Sequence, residues 1–467
     1  MLQAVGATRV APELRIWRVP RRALPALRAA GLVDFAEPDR RLYRDASSSP
    51  RDEPLASSEW WRSTVGADVT PAPGPGKPVT IVDSGVDVTH PEFAKRPNTT
   101  MLNEQQLVLD EDDHGTEVAS VVGAPVNGIG IAGVYPQAVL RSWDASPLGF
   151  ITTGSAVRGI VAAANGGPGV INLSFGGESP DLLIRNAVLY AFRRGSLVVA
   201  SSGNDGLSGN ALSYPASYPH VLTVGATEES GIVTSFSSES PDVDLVAPGR
   251  HITVAEPESY DASGYANVSG TSFSAPLVSG AAAWVWTVKP QLDNTQLSDV
   301  MRMSAHDLAP TGFDPASGFG LLNIPAALAY PAPLRDPLEP NDDVGEVKPK
   351  AIFATGEAPL TTPTLPSTTI RARVDHHEDP RDVYRAYVPA RRLLTVQTSG
   401  GNVASRLFRN GARSVLSAAA AASRTTPGTL IVRNTTARGS YFYVEVLPGA
   451  GVARTSYTLR VSATARR

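Results

Sequence analysis

The stretch Val268-Ser-Gly-Thr-Ser-Phe-Ser-Ala-Pro276 places a serine between a Gly-Thr turn and a long run of small residues. The run from Ser272 to Val288 has the length and composition of a buried helix, so Ser272 is a candidate nucleophile on its first turn. A hydroxyl is a weak nucleophile at neutral pH. This interpretation therefore requires a base, and an acid that orients the base, elsewhere in the chain.

Two upstream segments supply such residues. Val79 to Asp83 is an apolar, β-branched run that ends in a carboxylate before a glycine turn, which predicts a buried strand with Asp83 at its carboxyl end. Asp113-His-Gly-Thr-Glu-Val-Ala119 places His114 on the first turn of a predicted helix. The alternative is that these polar residues merely cap helices and turns, as Asp and Ser commonly do.

The chain order Asp, His, Ser is that of the subtilisin-like serine proteases, or subtilases, and the three segments resemble that family. Further matches to the family follow in order between about Trp60 and about Tyr330. They include Val170–Gly177, Val198–Gly206, Tyr214–Pro219, Val224–Thr227, Val246–Gly249 and Gly318–Asn323. The resemblance implies a serine endopeptidase that acts on extended polypeptides and requires no cofactor for its chemistry.

The resemblance also implies roles for individual residues. Ser272 would be the nucleophile, His114 the general base and Asp83 the residue that orients the imidazole. Asn204 would donate its side-chain amide to the oxyanion together with the backbone N–H of Ser272. The substrate-binding residues implied are Ser174, Phe175 and Gly176 on a backbone edge, with Ser201, Ser202, Gly203 and Ser213 around the side-chain pocket. Relatives often have glycine in place of Ser213, so we expect a shallower pocket that disfavours large aromatic side chains.

Two features concern cations. The family often has a second histidine where this chain has Glu117, one helical turn from His114, and a carboxylate there would raise the pKa of the histidine or bind a cation. A loop resembling the family's calcium loop supplies a tentative structural calcium site from Glu92, Pro125, Asn127, Ile129 and Ile131. Glu92 replaces the commoner Asp and one loop position is proline, so a loop without metal stays an open alternative.

Length and composition limit the remaining possibilities. With 467 residues the chain exceeds the usual size of one hydrophobic core, so two or more domains are expected. The net charge of −4 and the lack of a long basic block give no indication of nucleic-acid binding. The absence of cysteine excludes disulfides and thiolate metal sites, and no apolar run is long enough to predict a membrane span.

The predicted organisation has four parts. Residues 1–50 form a partial propeptide-like segment and linker, 51–330 a subtilisin-like α/β catalytic domain, 331–345 a linker, and 346–467 an all-β sandwich. In the catalytic domain, strands alternate with helices, which predicts a mostly parallel sheet with helices on both faces. The sandwich resembles the pre-peptidase C-terminal domain through short motifs such as Glu339-Pro-Asn-Asp342. Its His376–Asp379 segment is interpreted as a solvated loop rather than a metal site.

The N-terminal pattern is a strand over Leu14–Val19, a helix over Arg21–Ala30 and a strand over Leu32–Asp39. It resembles the second half of a subtilase inhibitory propeptide, which makes the chain's own propeptide an expected partner; an ordinary N-terminal extension is the alternative. The first ten residues lack the apolar core of a signal peptide. We nevertheless expect a secreted protein whose signal has been trimmed from this sequence, rather than a cytosolic one.

The functional prediction is therefore a secreted serine endopeptidase. Its alternatives are a catalytically silent protein that keeps the fold as a peptide- or surface-binding module, and a precursor held inactive by its pro-segment. The sequence gives no indication of the physiological substrate or of the oligomeric state.

Overall fold

The computed structural model describes residues 6–11, 16–33, 50–106, 113–259, 261–376 and 378–464. The chain divides into two compact units, Met1–Ser48 and Ser49–Arg467. In the first unit, strands β1 (Thr8–Ala11) and β2 (Ile16–Arg18) pair antiparallel, and a short 3-10 turn leads into helix α1 (Leu24–Ala29). The predicted order of strand and helix is confirmed here, β1 was not predicted, and most of the predicted strand over Leu32–Asp39 lies outside the described residues.

The described residues of the catalytic region form a seven-stranded parallel sheet in the order β4-β5-β3-β6-β7-β8-β9. The strands are β3 (Pro78–Asp83), β4 (Thr99–Met101), β5 (Val139–Asp144), β6 (Val170–Leu173), β7 (Leu197–Ser201), β8 (Val221–Thr227) and β9 (Leu245–Pro248). Every residue of β6 to β9 is buried, as expected for a parallel sheet that is covered on both faces.

Helices cover both faces of this sheet. They are α2 (Trp61–Thr64), α3 (His114–Gly123), α4 (Thr153–Asn165), α5 (Leu182–Arg193), α6 (Thr271–Val288), α7 (Asn294–Met303) and α8 (Ile324–Ala329). Side chains alternate along a strand, so Ile81 of β3 joins the apolar core with α3 and α6, whereas Val82 joins the core with α4 and α5. The predicted α/β architecture is confirmed.

The helix boundaries follow local capping. Helix α5 begins after Asp181, because Asp181 has an extended backbone and its carboxylate accepts hydrogen bonds from the N–H groups of Leu183 and Ile184. Thr152 and Ser155 form a reciprocal capping box at the start of α4. A hairpin of β10 (Ile252–Ala255) and β11 (Tyr265–Val268) leads into α6.

The described C-terminal residues form two four-stranded antiparallel sheets, preceded by the short helix α9 (Val344–Val347). One sheet has the order β12-β19-β14-β17 and the other β13-β18-β15-β16. The strands are β12 (Ser367–Asp375), β13 (Asp382–Val388), β14 (Leu393–Ser399), β15 (Val403–Arg409), β16 (Ala422–Arg424), β17 (Gly428–Arg433), β18 (Ser440–Pro448) and β19 (Arg454–Thr464). Residues of both sheets share one apolar core, which confirms the predicted sandwich.

The sandwich contacts the catalytic region through buried charged groups. Arg302 of α7 is 2 % exposed, and its guanidinium lies 3.5 Å from a carboxylate oxygen of Asp244 and 3.6 Å from one of Asp375 in β12. The expectation of a solvated loop at His376–Asp379 is wrong for its carboxylates: Glu378 and Asp379 are buried, and Glu378 accepts a hydrogen bond from the backbone N–H of His220. The prediction failed because the local sequence of a polar segment does not reveal that residues distant in the chain will cover it.

Candidate active site

Asp83 ends β3 at the carboxyl edge of the sheet, where parallel α/β folds place their sites. Its Oδ1 accepts hydrogen bonds from the backbone N–H of Ser84 and from Nδ1 of His114, both at 2.8 Å. Asp83 is 2 % exposed, and the hydrogen bond from Ser84, in the turn that follows the strand, holds its carboxylate in one orientation. The structure thus brings together the predicted acid and the predicted base.

His114 is the first residue of α3, and the start of this helix is fixed to the turn after β3. Ser84 Oγ accepts the backbone N–H of Gly115 at 2.9 Å. A Cβ on Gly115 would lie 2.0 Å from the carbonyl oxygen of Gly85, so the helix can approach the turn this closely only with glycine at that position. The close approach sets the Asp83–His114 distance.

Ser272 is the second residue of α6, whose N-terminus meets the end of β6. Its Oγ donates a hydrogen bond to the carbonyl oxygen of Ser174 at 3.2 Å, and Ser174 Oγ donates to the carbonyl oxygen of Ser272 at 2.8 Å. The rings of His114 and Phe273, the residue after Ser272, are 5.7 Å apart. The residue after Ser272 thus packs against the imidazole, and no hydrogen bond joins the described side chains of Ser272 and His114.

Asn204 follows β7 and reaches the N-terminus of α6. Its Oδ1 accepts hydrogen bonds from the backbone N–H and from the hydroxyl of Thr271, both at 3.0 Å. These hydrogen bonds fix the orientation of the Asn204 amide and leave its Nδ2 as a donor. Nδ2 lies 3.5 Å from the position that a Cβ on Gly270 would occupy. A donor amide at a helix N-terminus favours negative charge there.

The predicted substrate-binding residues lie next to one another. Gly177 pairs with Tyr214 in an antiparallel bridge, which fixes the segment Ser174–Gly176 beside Ser213. A Cβ on Gly176 would lie 2.1 Å from Ser213 Oγ, and a Cβ on Gly203 would lie 3.3 Å from Ser213 Cβ. Ser201 ends β7, and the buried Ser202 Oγ has no hydrogen-bond partner among the described residues. The predicted effect of Ser213 on the pocket stays a prediction.

The charges around His114 favour its protonated form. Burial lowers the pKa of the imidazole, but the charge and hydrogen bond of Asp83, with Glu117 and Asp113, raise that pKa to about 9. The imidazole keeps 31 % of its side-chain surface exposed. The carboxylates therefore raise its pKa by more than burial lowers it. Burial raises the pKa of Glu117 to about 7, and His114 opposes that rise.

Two side chains of the predicted calcium loop, Glu92 and Asn127, are hydrogen-bonded within the protein. Glu92 accepts the backbone N–H of Ile131, the hydroxyl of Tyr265 and Nδ2 of Asn127. Asn127 Oδ1 accepts the backbone N–H of Ile129, while Pro125 has no N–H to donate. Donors therefore occupy the Glu92 carboxylate and the Asn127 amide oxygen, and calcium binding through this loop stays a prediction. Glu53, which the sequence interpretation missed, also accepts N–H groups of this loop.

Acidic groups that could hold a metal ion occur elsewhere among the described residues. One comprises Asp113, Glu117 and Glu256, and the other Asp336, Glu339, Asp379 and Asp382. The sequence context of Glu117 suggested a cation, whereas Asp379 lies in the segment that was interpreted as a solvated loop rather than a metal site. The others are brought together by tertiary contacts between segments that are distant in the chain.

Asp83 and His114 form a hydrogen-bonded pair at the edge of the parallel sheet, and Ser272 lies on the first turn of α6. A model of the subtilase family matches residues 74–320, just over half of the chain. The chain belongs to this family of serine peptidases, and the subtilase fold inferred from the sequence is confirmed.

Individual relatives agree with this assignment. Over 257 residues the chain is 37 % identical to subtilisin BL and to subtilisin Savinase, both from Lederbergia lenta, covering 54 % of this chain and 91 % of each relative. It is 31 % identical over 277 residues to the minor extracellular protease Epr of Bacillus subtilis, covering 59 % of this chain and 41 % of that protein.

Solved structures show the same fold. The subtilisin-like protease Apa1 from Pseudoalteromonas sp. AS-11 matches with a TM-score of 0.52 at 21 % identity, covering 58 % of this chain and 97 % of that one. The S41 psychrophilic protease matches with a TM-score of 0.50 at 27 % identity, covering 60 % and 99 %. Within the described residues, no helix is long and apolar enough to cross a membrane.

Proposed function

We propose that this chain is a serine endopeptidase that hydrolyses peptide bonds through Ser272, His114 and Asp83. The observation that carries the proposal is the hydrogen bond between Asp83 and His114, formed where the N-terminus of α6 presents Ser272. Retention of all three residues in a subtilase gives no support to the alternative of a silent binding module.

In the proposed reaction, Ser272 Oγ attacks the substrate carbonyl carbon while His114 takes its proton and later returns it to the leaving amine. For this step the Ser272 hydroxyl turns from the carbonyl of Ser174 toward the imidazole. Catalytic hydrogen bonds are often absent before substrate binds, so the present contact agrees with this sequence of events. Asp83 holds the Nδ1–H tautomer, and Asn204 Nδ2 and the Ser272 N–H stabilise the oxyanion.

Polypeptide is the proposed substrate class, since the segment Ser174–Gly176 offers backbone groups next to the nucleophile for pairing with an extended chain. We also infer an extracellular location, supported by the similarity to the minor extracellular protease Epr of Bacillus subtilis. The N-terminal unit is proposed to act as the chain's own inhibitory pro-segment, supported by its strand–helix order. Mass spectrometry of active material tests this last proposal, and an intact N-terminus at Met1 contradicts it.

The catalytic proposal is tested with a fluorophosphonate probe. We expect the purified protein to be labelled on Ser272 and the Ser272→Ala variant to be unlabelled, with the modified peptide identified by mass spectrometry. Ser208→Ala, which changes an exposed serine of the loop after β7, is the control and should label normally. Absence of labelling in the parent protein, even after limited proteolysis, would contradict the proposal.

A further inference from the structure

Three carboxylates converge beside the catalytic histidine. Asp113 immediately precedes α3, Glu117 lies on its first turn, and Glu256 directly follows β10. One oxygen from each residue lies within 4.8 Å of the others. The convergence depends on the contact of α3 with β10 and therefore does not follow from sequence proximity alone.

Glu117 is the member of this cluster whose environment most requires a ligand. It is 6 % exposed, no described donor forms a hydrogen bond with its carboxylate, and the imidazole of His114 is the positive group that acts on it. Glu92 provides the contrast, since three donors satisfy its buried carboxylate. A buried carboxylate without donors is costly, and a bound cation would remove that cost.

The geometry suits one compact ion of high charge. Calcium binds oxygen atoms at about 2.3–2.6 Å, so oxygen atoms within 4.8 Å of one another can surround a single ion. Asp113 and Glu256 are half-buried, which leaves room for water to complete the coordination. Three carboxylates carry more negative charge than the single ammonium or guanidinium group of a substrate side chain would neutralise.

We propose that Asp113, Glu117 and Glu256 bind a divalent cation of the calcium type beside His114. This site is separate from the Glu92 loop and goes beyond the proposed peptidase function. A dication there would place positive charge beside the base, so the site makes activity sensitive to the calcium concentration.

Binding is tested on the full chain carrying Ser272→Ala, which removes self-cleavage and makes the result independent of catalysis. After treatment with a chelator, calcium binding is measured by calorimetric titration. On this background we expect Glu117→Gln to lose one bound ion per chain or to weaken one site by about tenfold or more. Glu258→Gln removes an exposed charge two residues from Glu256 and should leave binding unchanged.

Unchanged calcium stoichiometry and affinity in the Glu117→Gln variant would overturn the proposal. If that variant does not fold, Glu256→Gln, which changes a half-buried side chain, replaces it with the same expectations. In the catalytically intact chain, calcium should change kcat/KM for a peptide without basic residues, and Glu117→Gln should abolish that change. A variant that alters only the preference for substrates with Lys or Arg, with calcium binding intact, identifies a substrate side chain as the ligand and also overturns the proposal.

Discussion

At the scale of single residues, the N-terminus of α6 carries two proposed catalytic groups at once. Thr271 joins them, because it donates two hydrogen bonds to Asn204 and immediately precedes Ser272. The amide of Asn204 is thereby oriented before any substrate binds. Preorganised donors of this kind need no rearrangement as charge develops in the transition state, which makes them effective.

Replacing Asn204 by Ala should lower kcat by about 100- to 1,000-fold with little change in KM, a magnitude known from loss of the corresponding donor in a subtilisin. The physical reason is that the oxyanion forms in the transition state and not in the bound substrate. Asn204→Asp is the informative control, because it keeps an oxygen for Thr271 while removing the donor. Steady-state kinetics that show normal kcat for Asn204→Asp would contradict a donor role.

The pH dependence of activity should follow His114. Its pKa is raised to about 9 and the reaction requires the neutral imidazole, so kcat/KM should be low near neutral pH and rise through about pH 9. The measurement is a pH–rate profile for the free enzyme with a chelator present, so that no cation alters the charge near the base. A profile that already reaches its plateau near pH 7 would show that the carboxylates do not raise this pKa.

At the scale of secondary-structure elements, the contact between α3 and the turn after β3 aligns the acid with the base. The backbone atoms of Gly115 and Gly85 approach so closely that a methyl group does not fit between them. The Asp83–His114 geometry is therefore a property of how the helix packs, in addition to the identity of the two residues.

Gly115→Ala should destabilise the protein by about 1–3 kcal/mol and strongly reduce kcat, since the helix must move away from the strand end. Gly154→Ala is a matched control in the first turn of α4, where an added Cβ meets no atom within 4 Å. That variant should be neutral or stabilising by up to about 1 kcal/mol. Denaturant unfolding with parallel kinetics tests both; equal stability of the two variants would contradict the packing argument.

At the scale of the whole molecule, the sandwich and the catalytic region share a buried set of charges. Asp299 of α7 pairs with Arg302 on the same helix and with Arg373 and Arg454 of the sandwich. Ion pairs removed from water contribute little net stability while intact, but the loss of one partner leaves an uncompensated charge. The sandwich is therefore expected to be retained as an integral part of the folded chain.

Arg302→Ala should cost about 3–5 kcal/mol, because the buried carboxylate of Asp244 loses its cation and that of Asp375 keeps Arg454 but loses Arg302. It should also make the region between the two domains more sensitive to limited proteolysis. Arg335→Ala, at an exposed guanidinium 3.5 Å from Asp293, should change stability by less than about 1 kcal/mol. Thermal unfolding compares the two variants, and a similar small effect of both would show that the buried network does not hold the domains together.

The sequence by itself determined the order of strands and helices in the catalytic domain, the sandwich and the identities of the proposed catalytic residues. Buried parallel strands are continuous apolar runs, and amphipathic helices have capped ends, so both have local signals such as Val170–Leu173 and the Asp181 cap. The chemistry-bearing residues were recognisable because each lies within such a local motif.

Only the tertiary structure decided how the charged groups are used. The Glu92 loop contains the expected residues, yet the carboxylate accepts hydrogen bonds from the backbone N–H of Ile131, the Asn127 amide and the Tyr265 hydroxyl, which no local pattern indicates. Glu117 meets Glu256, and Arg302 meets Asp375, across more than 70 residues of chain. Burial and the distance between charges set these interactions, and both quantities arise when distant segments pack together.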